Sequence, residues 1–179
     1  MCKFRDLKAD EIDVRVGQIK YDNSVTLLLY KDARVDMNIL DETVGSLNWQ
    51  REHYECKGNL YCRVGIKDKE TGEWVWKSDC GTESNTEAEK GEASDSFKRA
   101  CVCFGIGREL YSAPTIEVKP GYVNVKVDNK NGKEIKKCYD KFSVEGIRIE
   151  NKRITGLCIR NETTGKRCFF YDEVNGTNK

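Results

Sequence analysis

Histidine is almost missing from this chain. His53 is the only one, so any histidine-based dyad or triad depends on it alone. It sits among polar neighbours in a segment that reads as a strand, which suits a surface or interface histidine better than a general base. Proline is scarce as well: Pro114 and Pro120 are the two, and they bracket one junction. No run of about 18 apolar residues occurs, which excludes a transmembrane helix. The opening Met1-Cys2-Lys3-Phe4-Arg5-Asp6 has no apolar stretch, so a secretory leader is not expected. There is no G-x-x-x-x-G-K-[ST] phosphate loop, which argues against an ATP-driven recombinase or helicase. Gly105-Ile106-Gly107 lacks the third glycine of a dinucleotide fingerprint and follows a helix, so it reads as a helix stop. Carboxylates are plentiful but scattered. Asp41-Glu42 and Glu87-Ala88-Glu89 read as solvated helix charges rather than the convergent set of a two-metal nuclease.

Cysteine, by contrast, is abundant. There are nine, an odd number, with no C-x-x-C pair and only Cys101 and Cys103 close together. That spacing fits neither a secreted disulfide framework nor a zinc knuckle. It fits reduced thiols acting as small hydrophobes in a cytoplasmic protein.

The 179 residues suit one domain, or one domain with a small appendage. Charged residues make up 34% and hydrophobic ones 38%, a polar balance for a folded chain. The net charge of +1 conceals an asymmetry. Residues 1–116 hold 17 Lys and Arg against 21 Asp and Glu, whereas residues 117–179 hold 14 against 9. A basic C-terminal third points to a polyanion partner, or simply to a solvated lysine-rich surface.

Periodicity predicts two helices set among strands. Val25 to Tyr30 reads as a buried strand. Asp32 can cap a following helix in which Ala33, Met37, Leu40 and Val44 form the apolar stripe, with Gly45 ending it. Asn48 to Lys57 fits a strand. From Leu60 the chain alternates: Leu60, Cys62, Val64 and Ile66 point one way, Tyr61, Arg63, Gly65 and Lys67 the other. Asp68 to Gly72 is a turn, and Glu73 to Asp79 returns with Trp74 and Trp76 on one face. Residues 48–80 therefore predict a three-stranded antiparallel meander. After a polar loop at 81–86, a long helix runs from about Glu87 to Phe104. Ala93, Phe97, Ala100 and Phe104 form its apolar stripe, and Lys98 and Arg99 lie on the far side. Beyond Tyr122 the pattern is β-like, with strands near 122–127, 142–149, 153–159 and 166–171, a turn at 128–132, and a frayed tail from Asn175. The fold class is α+β. The predicted division is a core over 1–115 and a small basic β appendage over 116–179.

No catalytic constellation emerges. What remains is cations mixed with aromatic rings on defined faces: Arg63 and Lys67 beside Tyr61 on a strand, Lys98 and Arg99 on a helix. Cations neutralise phosphates and aromatic rings accept stacked bases. From these residues alone a nucleic-acid binder, a protein-interaction module and an enzyme all stay open. The enzyme reading would be a metal-dependent DNA-processing nuclease.

Two segments resemble the Rad-fifty-two superfamily of single-strand annealing proteins, especially its phage Sak branch. One is Tyr30-Lys31-Asp32-Ala33-Arg34-Val35-Asp36-Met37-Asn38-Ile39-Leu40-Asp41-Glu42, closing at Gly45 and Asn48-Trp49. The other is Lys90-Gly91-Glu92-Ala93-Ser94-Asp95-Ser96-Phe97-Lys98-Arg99-Ala100, continuing through Phe104-Gly105 to Leu110-Tyr111. The resemblance covers roughly residues 10–112. It implies a β-β-β-α annealing core, a ring-shaped homo-oligomer, and single-stranded DNA held by its backbone in a basic groove, with neither cofactor nor ATP. By position it assigns DNA contacts to Lys98, Arg99, Lys90, Lys67 and Tyr30. Arg15 resembles a further contact, with Lys20 the rival because the spacing to Tyr30 is longer here. Arg34 matches a family arginine for which a structural role fits equally well. Arg63 joins the set from the face it shares with Lys67. Val102 stands where the family has a third helix cation. The implied setting is phage or prophage recombination in the bacterial cytoplasm. A single-strand binding protein and a phage exonuclease are further candidate partners.

Overall fold

The computed structural model describes residues 3–82, 88–130 and 133–178, and within them all side chains except those of residues 88–90, 130, 133, 177 and 178. In chain order the elements are β1 (Asp13–Ile19), β2 (Val25–Tyr30), α1 (Ala33–Val44), β3 (Trp49–Cys56), β4 (Asn59–Lys67), β5 (Trp74–Cys80), α2 (Ala88–Phe104), β6 (Ile116–Val118), β7 (Val125–Lys130), β8 (Lys133–Cys138), β9 (Phe142–Glu150), β10 (Arg153–Asn161), β11 (Lys166–Asp172) and β12 (Thr177–Asn178). Short 3-10 turns lie at Ala9–Glu11 and Arg108–Ser112. The chain is α+β, and every strand pairing is antiparallel. Among the described residues no helix is long and apolar enough to cross a membrane. Of the predicted turn at 128–132, residues 128–130 instead pair with β8 as the end of β7, while 131 and 132, like 83–86 of the predicted loop at 81–86, lie outside the described residues.

The chain divides into two units: residues 1–6 with 32–108, and residues 7–31 with 109–179. The first holds both helices and a three-stranded sheet in the order β3-β4-β5. Asp32 caps α1 by accepting from the Arg34 amide at 2.8 Å. Gly45, at φ 90°, ends it, and Asn48 Nδ2 donates back to the Val44 carbonyl at 2.9 Å. The buried face of α1 is Asp36, Ile39, Leu40 and Val44. It is rotated from the predicted stripe, since Ala33 and Met37 are only half-buried. Lys57 and Gly58, both at positive φ, form the two-residue turn between β3 and β4, which sets Cys56 against Asn59 and Tyr54 against Tyr61. Cys62, Val64 and Ile66 are buried on the side of the sheet that carries α2, where Phe97, Ala100 and Cys101 are buried as well.

In the second unit a seven-stranded sheet runs β12-β11-β10-β9-β1-β2-β6, and β7 pairs with β8. The strands of residues 142–178 therefore continue a sheet begun by the β1–β2 hairpin: β9 joins β1 through Asp13↔Ser143 and Val14↔Phe142. The core of this unit includes Val25, Leu27, Ile116, Val118, Ile154, Leu157 and Ile159. Asn161 is buried, with its amide nitrogen donating to the Tyr122 carbonyl and to Asp140, and its oxygen accepting from Thr163 and Thr164. Thr177 and Asn178 pair with Asp172 and Tyr171, so the tail is drawn into a short edge strand rather than frayed. The pairing is of backbone, and the polar sequence there carries no strand signal.

Candidate nucleic-acid interface

Helix α2 carries Lys98 and Arg99 next to the buried Phe97 and Ala100. Packing of those neighbours against the sheet fixes the helix phase, so the two cations start from a rigid backbone. Both are half-buried rather than fully outward. Arg99 turns toward β5 and meets Asp79 at 3.4 Å. A helical wheel with one apolar stripe puts Arg99 on the far side; Cys101 and Ser96 are also buried and widen the packed face beyond that stripe. Lys98 has no side-chain partner among the described residues. Lys90 lies in the first turn of α2, and its side chain is outside the described set.

The C-terminal carbonyls of α2 face cations from elsewhere in the same unit. Lys77 Nζ donates to the Cys103 carbonyl at 2.9 Å and lies 4.7 Å from the Phe104 ring centre. Arg108 Nη2 donates to the carbonyls of Val102 and Cys103 at 3.0 and 3.2 Å. Both contacts answer the negative end of the helix. Gly105, at φ 97°, then turns the chain out of the helix.

Arg63 and Lys67 lie on the other side of the three-stranded sheet. The unbroken register puts Gln50, Glu52 and Tyr54 of β3 on one face with Tyr61, Arg63, Gly65 and Lys67 of β4 and Trp74, Trp76 and Ser78 of β5. Arg63 donates from Nη2 and Nε to one and the same oxygen of Glu52, Oε2, at 2.6 and 3.0 Å, and its guanidinium carbon lies 4.7 Å from the Trp76 ring centre. Lys67 ends the strand and borders a hollow of about 210 Å³ shared with Phe4, Ile66, Asp68, Val75, Lys77 and Phe104. Asp68 closes the next turn by accepting from the amides of Glu70 and Thr71, and those bonds hold its carboxyl below the usual carboxylate range.

Arg15 and Tyr30 belong to the second unit, where the register brings them together. Tyr30 sits opposite Asp13 and Arg15 opposite Leu28, on one exposed face of the β1–β2 hairpin. Arg15 has no side-chain partner among the described residues. Lys20 pairs with Glu117, and that bond lowers the Glu117 carboxyl below its ordinary range. Arg34 is exposed and lies 3.9 Å from the capping Asp32. The sequence sites thus fall into three groups: the α2 pair, the outer sheet face, and the hairpin face. Sequence reasoning missed the Glu52–Arg63–Trp76 cluster and Lys77. The turn at Lys57-Gly58 carried the signal for the first, because it fixes which β3 residue opposes Arg63.

Among the described residues no three His, Cys, Asp or Glu side chains gather as metal ligands. Adjacent helix cations on an α+β scaffold, and a hairpin face whose arginine has no side-chain partner among the described residues, suit a protein that handles a polyanion. A model of the Rad52/22 family of double-strand break repair proteins matches residues 5–131. The chain belongs to that family, which places it in DNA repair and recombination. No curated protein and no solved structure matches the chain.

Proposed function

We propose that the protein binds single-stranded DNA and anneals complementary strands without ATP, acting as a self-associated ring rather than as an enzyme. The observation that carries this reading is the Lys98–Arg99 pair on α2, set on a packed helix in a chain of the Rad52/22 family. Adjacent cations on a rigid element bind a phosphate backbone without selecting sequence. A strand held this way keeps its base edges readable, and its repulsion from the complementary strand falls. Base pairing then supplies both specificity and driving force, so no nucleotide hydrolysis is needed. Repetition of a few cations around an oligomer raises affinity by multivalency, which compensates for Val102 on the helix and for the acidic balance of residues 1–116. On the hairpin, Arg15 is the cation we assign to DNA, having no side-chain partner among the described residues, whereas Lys20 would have to exchange Glu117 for a phosphate, as Arg99 would Asp79. The setting is phage or prophage recombination in the bacterial cytoplasm, with a single-strand binding protein or an exonuclease as further partners.

The test is strand annealing with complementary fluorescent oligonucleotides, without ATP, beside a solution mass measurement. Annealing well above the protein-free rate by a large oligomer supports the reading. Annealing no faster than bare DNA, by a monomer, overturns it in favour of a protein adaptor.

A further inference from the structure

Beyond the phosphate-binding cations, the outer face of β3-β4-β5 has no assigned work, yet it is unusual for a solvent-facing sheet. Tyr54 and Tyr61 oppose each other across two strands and stack with ring centres 5.5 Å apart. Trp74 and Trp76, two residues apart on β5, have ring centres 6.1 Å apart. Trp76 lies flat over Gly65: a Cβ there would fall 2.8 Å from its ring carbons. The absence of that one side chain lets the indole settle on the backbone. Tyr54, Trp74 and Trp76 each remain 37% exposed, enough ring surface to accept a planar partner. Arg63 stands in the row between the two aromatic pairs, and a shallow cleft of about 550 Å³ opens beside it, lined by Glu52, Tyr54, Arg63, Trp76 and Ser78. The Tyr61 and Gly65 rows lie about 13 Å apart along β4, at roughly 3.3 Å per residue. A short length of extended strand could therefore meet both pairs.

We propose that this face is a nucleobase-stacking surface for single-stranded DNA, separate from the helix cations on the other side of the sheet. The proposal rests on the reading of the protein as a single-strand binder. Its chemistry is stacking of bases on tyrosine and indole rings, which tolerates any sequence because every base presents a π-face. Charge favours this occupant over a second copy of the chain. Glu52 is the single carboxylate among these strand positions and is already taken by Arg63, whereas Lys67 has no carboxylate partner among the described residues. The face thus offers cation and ring together, the pair of features that a single strand presents in complement as phosphate and base.

The experiment titrates a fluorescein-labelled oligo(dT) and an abasic oligonucleotide of equal length into the full chain, reading anisotropy, with solution mass in parallel. The variants are Trp74→Leu with Tyr54→Leu, and separately Lys98→Ala. Circular dichroism checks the fold of each, and the single variant Tyr54→Leu serves if the double one does not fold. The wild type should bind oligo(dT) roughly ten-fold or more tighter than the abasic strand. The face variants should lose most of that margin with the salt slope unchanged, while Lys98→Ala should weaken both strands alike and reduce the slope. Equal affinity for the two strands overturns the stacking proposal. So does unchanged oligo(dT) binding by the face variants; if they instead lose oligomer mass, the face is a contact between copies. In each of these cases the single-strand reading stands as long as Lys98→Ala impairs binding. No binding of either strand by the wild type overturns both.

Discussion

The C-terminal strands and helix α2 carry their positive charge differently. Residues 117–179 carry the excess, 14 Lys and Arg against 9 Asp and Glu, yet all four of their arginines are ion-paired. Arg148 meets Asp172 at 2.7 Å, Arg153 meets Glu173 at 2.6 Å, and Arg160 and Arg167 both reach Glu145. Residues 1–116, acidic in sum, include a helix, α2, that offers Lys98 without a side-chain partner among the described residues. A regional charge sum is therefore a poor locator of a polyanion site. Antiparallel strands bring opposite charges face to face and cancel them locally, while a helix can hold two cations side by side on a packed backbone. Placement decides more than the total. The units differ in a second way that is useful for measurement: Trp49, Trp74 and Trp76, the only three tryptophans, all lie in the helix-bearing unit.

The largest expected effect breaks that unit selectively. A Cβ at Gly81 would lie 2.2 Å from the Glu92 carbonyl oxygen, a backbone atom of α2 that cannot swing away. Gly81→Ala should cost about 2–3 kcal/mol, in the range of forced overpacking. Urea unfolding followed by tryptophan fluorescence should show the midpoint fall; an unchanged midpoint would mean that α2 does not approach Gly81 this closely. Next in size is Lys98→Ala. It should weaken single-strand binding roughly ten-fold and reduce the log–log salt slope by about 0.7 for each phosphate left unneutralised. The paired variant Arg160→Ala with Arg167→Ala removes more charge and should leave affinity nearly unchanged. A larger loss from the arginine pair than from Lys98 would reverse the contrast between the units.

Local patterning made one unit legible and left much of the other hidden. The β3-β4-β5 meander and α2 followed from period-two alternation, from Lys57-Gly58 and Asp68 to Gly72 as turns, and from a helical stripe ended by Gly105. These signals lie within a few residues of what they determine. The Asp13↔Ser143 pairing does not: it joins segments 130 positions apart, and no local pattern in Asp13–Ile19 names its partner. Strand β8, Lys133–Cys138, is too polar to read as a strand, and β6 has only three residues between Pro114 and Pro120. At the candidate site, residue types were legible but side-chain commitments were not. Arg63 and Lys98 are equivalent in sequence as strand and helix cations; only the fold shows Arg63 held by Glu52 while Lys98 has no side-chain partner among the described residues.

The strand-rich unit should have the stronger acid response. Arg148, and after it Asn175, hydrogen-bond Asp172 and hold its carboxyl down to about 2. An unfolded aspartate titrates near 3.9. The folded-state value is the lower one, so the stabilisation is complete above about pH 4 and disappears as pH falls toward about 2. Thermal melts by far-ultraviolet circular dichroism, taken from pH 6 to pH 2, should be flat at first and then fall through that window. Asp172→Asn should flatten the acid step; an identical step in the variant would show that other carboxylates dominate.

The smallest effect is chemical rather than thermodynamic, and it resolves the two units from each other. The thiolate is the reactive form, so burial protects a cysteine both by excluding the reagent and by raising its pKa. Cys62 is fully buried on the central strand of its sheet, and burial pushes its thiol up to about 11. Cys168 is also pushed up, to about 12, by burial, but it is only half-covered and lies on β11, next to the short edge strand β12. Reaction of Cys62 requires its sheet to open away from α2, whereas Cys168 needs only fraying of the sheet edge, which costs less than unfolding a core strand. Peptide-resolved alkylation at pH 8 should therefore label exposed Cys56 first, Cys168 next and Cys62 last. Gly81→Ala should accelerate Cys62 and leave Cys168 at its original rate. If both cysteines accelerate together, the units open as one cooperative body, and the contrast between them is one of charge placement alone.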